Sequence, residues 1–167
     1  MFAFLCLCVF PGAMALAGSM DLITMTIPNR ISIFLVAAFV VMAPLAGLTP
    51  LQLVAHAATG AAMLAIGIFM FALGWIGGGD AKIFATAALW FGFDHLGQFA
   101  LMSAVAGGIL TITLLLFRTL PLPSIATSQA WLVKLHHPRT GVPYGIAMAA
   151  AALIVYPSTP WFLSAIG

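Results

Sequence analysis

The feature that most limits how this chain can fold is the near absence of charge along its 167 residues. There are five lysines and arginines and three acidic residues, whereas 64% of the residues are hydrophobic. A soluble domain has roughly 25% charged residues. The composition therefore predicts an all-α, polytopic membrane protein, with a single membrane-embedded domain over 1–167 and no separate soluble core.

Six apolar runs are separated by turn or charged residues, which predicts about six transmembrane helices. A spanning helix needs about 20 apolar residues. The runs cover 2–20, 31–46, 51–75, 81–93, 99–117 and 144 to 156 or beyond. The first run lacks the cationic start of a signal peptide, and we interpret it as a span. The fourth is too short unless its helix begins among the preceding glycines, and we interpret Trp161, after the sixth, as an interfacial anchor.

The basic residues indicate how the spans are oriented. With six spans, all five fall on one face: Arg30, Lys82, Arg118, Lys134 and Arg139. The positive-inside rule makes that face cytoplasmic and places Asp94 on the opposite face. The five cations are too few and too dispersed to indicate nucleic acid, so the lipid bilayer is the expected environment.

The one sizeable loop, 118–143, contains apolar residues at near-helical spacing, including Ile125, Leu132 and Leu135, with Gln129 among them. This pattern predicts a short helix on the membrane surface. An ordinary solvated linker is the alternative.

The cysteines and histidines do not form a metal-binding pattern. Cys6 and Cys8 lie in the first apolar run, and the four histidines lack ligand spacing with one another. We interpret His56, within the third run, as a residue that hydrogen-bonds between helices. No metal ion or other cofactor is expected.

Asp21 and Asp80 are the candidate catalytic residues. An ionisable group at membrane depth costs at least about 2.5 kcal/mol, which makes it a functional candidate. Both aspartates fall at the cytoplasmic ends of apolar runs, so they share one membrane level. If they meet, they would hold one proton between them, and such a pair can activate water against a peptide carbonyl.

The three glycines before Asp80 admit two interpretations. Gly77 and Gly79, with Gly78 between them, could permit unusual dihedrals and let a substrate peptide approach the carboxylate. Alternatively, the glycines pack helices or close a turn while Asp80 caps the next helix.

Three stretches resemble the type IV prepilin peptidases, which are aspartic intramembrane proteases. "DLITMTIPNR" (21–30) resembles the family's first aspartate motif, with Ile-Pro-Asn after the aspartate. "GGGDAK" (77–82) matches its second, Gly-x-Gly-Asp followed shortly by Lys. "GVPYGIAMAAA" (141–151) is similar to the start of the last span in small pilus-assembly members.

The resemblance implies that Asp21 and Asp80 form a catalytic dyad that cuts a Flp-type prepilin at the cytoplasmic face of a bacterial inner membrane. It implies pilus-assembly machinery as a further partner. Pro28, Asn29 and Lys82 carry over as motif residues. Larger members carry paired zinc-binding cysteines and an N-methyltransferase activity; the short 21–30 connection has no such cysteines, so methylation is not expected.

The leading alternative from another functional class is a proton-coupled transporter that uses the same two carboxylates. Such a protein would usually show paired repeats or a polar path through the bilayer, and the sequence shows neither.

Overall fold

A computed structural model describes residues 2–122 and 128–166, and in that part of the chain every regular element is a helix. The helices are α1 (Phe2–Thr24), α2 (Asn29–Leu45), α3 (Pro50–Ala72), α4 (Gly78–Thr119), α5 (Ala130–His136), α6 (Tyr144–Val155) and α7 (Pro160–Ile166), with a 3₁₀ turn over Tyr156–Ser158. The prediction of an all-α membrane protein is confirmed. By length and composition, α1, α3 and α4 can cross a membrane, and α2 and α6 are shorter apolar helices.

The helix α4 contains the predicted fourth and fifth spans in one element. As a straight rod its 42 residues would extend about 63 Å, twice the thickness of the hydrocarbon core. Gly92, at φ 61° and ψ −175°, breaks it. The rings of Phe84 and Phe99 are 5.0 Å apart. A straight helix would separate these positions by about 22 Å, so the chain reverses at Gly92.

The predicted connection at 94–98 is wrong, because those residues are helical and the reversal takes one glycine. A positive φ costs glycine little, and the His56 ring lies 2.8 Å from where a Cβ would be. The same ring, through Nδ1, hydrogen-bonds the Leu89 carbonyl at 2.8 Å, which confirms the interpretation of His56. The fourth helix does begin among the glycines, with Gly77 as its N-cap.

The core near this reversal is built from aromatic side chains. Phe10 stacks on Tyr156 at 5.0 Å between ring centroids, and Trp90 packs on Trp161 at 4.9 Å. Trp161 is 3% exposed, and its indole N–H donates to the Trp90 carbonyl at 2.9 Å. The prediction that Trp161 is an interfacial anchor is wrong. An indole N–H can also be satisfied by a helix carbonyl left without an intrahelical partner near a break.

Six apolar helical segments therefore match the predicted runs: α1, α2, α3, the two halves of α4, and α6. The predicted loop contains a short helix, α5, although Ile125 lies outside the described residues. His95, just past the reversal, bonds the Ser158 carbonyl at 3.1 Å, so Asp94 and His95 lie at the end of the bundle where α6 finishes. Asp21 contacts Gly145 at the beginning of α6, so the aspartate lies at the opposite end of the bundle.

Candidate active site

Asp21 lies near the end of α1 and is held by the first turn of α6. Its side chain is 6% exposed, and Oδ2 accepts a hydrogen bond from the Gly145 N–H at 2.8 Å. The first N–H groups of a helix have no intrahelical acceptor and carry partial positive charge. The Gly145 N–H therefore stabilises negative charge on the Asp21 carboxylate against the cost of its burial, and the orientation of the carboxylate depends on α6.

Asp80 lies in the first turn of α4, where it is partly exposed. Its carboxylate accepts a hydrogen bond from the backbone of Gly77, the N-cap of that helix. A carboxylate three residues after the N-cap often accepts a hydrogen bond from the backbone N–H of the N-cap residue. The capping role considered from the sequence is therefore present, and it fixes the carboxylate close to the start of α4.

The fold brings these two carboxylates together from positions 59 residues apart, close enough for them to interact electrostatically. Ile27 packs between Gly79, which directly precedes Asp80, and Gly145, whose N–H binds Asp21. Its Cβ would be 3.2 Å from a Cβ added at Gly79, and its Cδ1 3.0 Å from one added at Gly145. Both glycines therefore allow close packing of Ile27, which comes from the same motif as Pro28 and Asn29.

The glycines before Asp80 are explained by packing within the chain. Their φ values are not positive, unlike those of Gly47, Gly74 and Gly92. A Cβ at Gly77 would lie 2.8 Å from Asp80 Oδ2, and one at Gly78 would lie 3.3 Å from the Phe71 ring. These glycines therefore do not adopt positive φ angles, and they lie in the close contacts that the packing alternative predicts.

The remaining predicted motif residues flank the carboxylates. Lys82 Nζ donates to Asn29 Oδ1 at 3.0 Å, which ties the start of α4 to the start of α2. Pro28 is the N-cap of α2 in an extended conformation, with its carbonyl accepting from the Ile31 N–H at 3.0 Å. Met25 has a φ of 57°, unusual for a residue with a side chain, and so turns the chain sharply after α1.

Two more basic residues donate hydrogen bonds to backbone carbonyls at the same end of the bundle. Lys134 of α5 donates to the Thr24 carbonyl at 2.8 Å, directly before the Met25 turn. Arg118 Nη2 donates to the Thr140 carbonyl at 2.8 Å and thus stabilises the segment that enters α6. With Lys82, three of the five cations are therefore hydrogen-bonded at the end of the bundle that contains the two aspartates.

A groove beside Asp80 offers space for a ligand. It has a volume of about 410 Å³ and includes Asp80 itself, Gly67 of α3, Phe84 and Ser103 of α4, and Tyr144 of α6. We call it the α3–α4 groove. In residues 2–122 and 128–166, no three histidine, cysteine or acidic side chains are grouped so that they could hold a metal ion.

Comparison with known proteins gives the family. The model of the type IV leader peptidase family matches residues 8–112, which include both aspartates. The chain belongs to the type IV leader peptidase family. No curated protein and no solved structure matches it significantly. Membership supports a membrane protease whose substrate is a prepilin, and it favours this reading over the transporter.

Two features of the site were missed by sequence reasoning. The Gly145 N–H that binds Asp21 comes from 124 residues further along the chain and is a main-chain group. Its only sequence signal is the Pro-Tyr-Gly at 143–145, where glycine opens a helix. Ile27 lies within the motif at 21–30, but the sequence predicts no role for it. Its contacts with Gly79 and Gly145 depend on the three-dimensional fold.

Proposed function

We propose that this protein is an aspartic endopeptidase that removes the leader peptide of a Flp-type prepilin, with Asp21 and Asp80 as its catalytic pair. The observation that carries the proposal is the approach of these two carboxylates at one end of the bundle. They are two of the three acidic residues in the chain. An apolar protein with no catalytic need for such a pair would be expected to keep them apart or replace one.

The proposed chemistry uses the pair with one shared proton. The ionised carboxylate takes a proton from water as the water oxygen attacks the carbonyl carbon of the scissile peptide, while the protonated carboxyl donates to the carbonyl oxygen. Collapse of the tetrahedral intermediate reforms a carbonyl and breaks the C–N bond. The carboxyl that took the proton from water passes it to the leaving nitrogen, and the other carboxylate takes back a proton from a hydroxyl of the intermediate, so the pair again holds one proton.

The two aspartates accept hydrogen bonds from different backbone N–H groups. This arrangement suits a catalytic pair whose carboxylates must stay in place while protons move. The Gly145 N–H stabilises negative charge on Asp21, and the Gly77 N–H does the same for Asp80. Neither N–H can itself accept a proton. The Lys82–Asn29 hydrogen bond joins α4 to α2 two residues after Asp80 and acts in this proposal as a positioning contact.

The proposed orientation places the site at the cytoplasmic face of a bacterial inner membrane. Lys82, Lys134 and Arg118 are all bound at the end of the bundle that holds the aspartates. By the positive-inside rule that end faces the cytoplasm, so a leader would be cut there next to the prepilin's apolar helix. Pilus-assembly machinery would then be the next partner of the processed subunit.

The test is co-expression with a Flp-type prepilin, with leader removal read as a gel shift. Asp21→Asn and Asp80→Asn should each reduce cleavage by about 100-fold or more, since general acid–base catalysis contributes roughly 10²–10⁴. Asp94→Asn is the matched control, an identical change at the other end of the bundle, and should cleave normally. Substantial cleavage by Asp80→Asn at normal membrane abundance would contradict the catalytic pair.

A further inference from the structure

Ser103 differs from several other helical hydroxyl groups of this protein. Thr59, Thr86, Thr111 and Thr113 each donate to the carbonyl four residues earlier, the usual way for a hydroxyl to be satisfied in an apolar helix. Ser103 Oγ is buried without a hydrogen-bond partner, and the residue is only 8% exposed. A buried hydroxyl without a partner is unfavourable, and a bound ligand is one way to satisfy it.

Ser103 and Asp80 are both among the residues that line the α3–α4 groove. The buried Ser103 hydroxyl therefore lies in the wall of the groove that contains the Asp80 residue. Ile66 and Ala104, which also line the groove, are exposed on the outer surface of the helices. The groove is therefore open sideways to the surrounding lipid, the direction from which a membrane-embedded segment would enter.

We propose that the α3–α4 groove binds the apolar segment of the substrate next to the scissile bond, and that Ser103 Oγ hydrogen-bonds a main-chain group of that segment. This proposal rests on the proposed function. A peptide must be extended to be hydrolysed, and unwinding the end of an apolar helix leaves N–H and C=O groups unpaired. In a groove lined mainly by apolar side chains, such a group is stabilised by a protein hydrogen-bond partner.

The rest of the groove wall fits an apolar occupant. Phe84, Met63 and Met148 are among its lining residues, and unbranched methionines adapt to varied side chains. The Tyr144 hydroxyl lies 3.1 Å from Thr111 Oγ1, so it already has a partner inside the protein. Ser103 is therefore the unpaired hydroxyl that can distinguish an unwound main chain from a lipid tail, which carries no hydrogen-bonding group at this depth.

The first test removes the hydroxyl alone. Ser103→Ala should reduce kcat/KM for a co-expressed Flp-type prepilin by about 2- to 10-fold, the effect expected for one lost hydrogen bond. Its thermal stability should not fall, because the hydroxyl has no partner in the free enzyme. Thr113→Val is the matched control, since it removes an exposed hydroxyl from the same half of α4. Unchanged kcat/KM for Ser103→Ala, or a loss that follows unfolding, would overturn the role of Ser103.

The second test reads binding without cleavage. A photo-crosslinking residue at Ala100, in the groove wall, should capture the apolar segment of a tagged prepilin in an Asp80→Asn background, and one at the lipid-exposed neighbour Leu101 should not. Equal capture at both positions, or none at Ala100, would overturn the groove assignment. If the wild-type enzyme does not cleave the prepilin, the proposed function fails, and the crosslink still decides what the groove binds.

Discussion

The sharpest prediction concerns Gly145, whose N–H binds Asp21. A Cβ at this position would lie 2.8 Å from both Cβ and Oδ2 of Asp21 and 3.0 Å from Ile27 Cδ1. These distances are shorter than van der Waals contact, so Gly145→Ala must move α6, the carboxylate, or both. Overpacking of this kind typically costs about 1–3 kcal/mol of stability.

The effect on cleavage should exceed the effect on folding. Displacing the Asp21 carboxylate also weakens its hydrogen bond to the Gly145 N–H, and a bond to a charged group contributes about 1.5–3 kcal/mol. Because about 1.4 kcal/mol corresponds to a factor of ten, we expect Gly145→Ala to lose at least about tenfold in kcat/KM per folded enzyme. The assay combines prepilin cleavage with thermal unfolding in detergent, so that activity is normalised to folded protein.

Two glycine variants separate the possible causes. Gly18→Ala would also crowd α1 against α6, with its Cβ 2.8 Å from Ala149 Cβ, but it does not contact the carboxylate. It should lose stability and retain more activity per folded molecule than Gly145→Ala. Gly108→Ala has open space around the new methyl group and should be neutral in both assays. Equal specific activities for Gly145→Ala and Gly18→Ala would refute the reasoning that Gly145 positions Asp21.

Three further outcomes follow from the structure. Gly92→Ala should destabilise the fold by more than about 1 kcal/mol, because it combines a positive φ with a clash against His56, and reduced melting temperature would reveal this. Gly79→Ala should lower abundance and cleavage together because its methyl group meets Ile27; loss of activity at full abundance would instead indicate blocked substrate access. EDTA should leave cleavage intact; inactivation reversed by zinc would contradict a metal-free mechanism.

The helical runs were predictable from the sequence because hydropathy alone limits them. The long, mainly apolar segments α1 and α3 can satisfy their backbone polar groups in a bilayer only as helices. The reversal inside α4 was not predictable at its true position, since Gly92 lies between two phenylalanines and the turn-forming Asp94 follows it. In the structure the φ of 61° at Gly92 accompanies packing of Phe84 against Phe99 and of His56 against the glycine.

The two carboxylates of the candidate site could be predicted from the sequence. The backbone N–H groups that hold these carboxylates could not. Asp21 and Asp80 stand out because an apolar chain that retains an acid near the membrane needs a reason to do so. The contacts of the glycines were not predictable, because the sequence does not distinguish a glycine that admits substrate from one that admits Ile27. Trp161 was misplaced for a similar reason, since its partners, Trp90 and Phe39, come from other helices.

The hydrogen bond from Gly145 to Asp21 also bears on when the enzyme becomes active during synthesis. The amide that orients the first aspartate belongs to a helix translated more than one hundred residues later. A nascent chain that has inserted α1 to α4 would have both acids in the membrane without that amide, so proteolytic competence would arise only when α6 docks. A chain ending before Pro143 should insert yet remain inactive, and co-expressing the missing segment should restore cleavage; activity in the truncated chain alone would exclude this late activation.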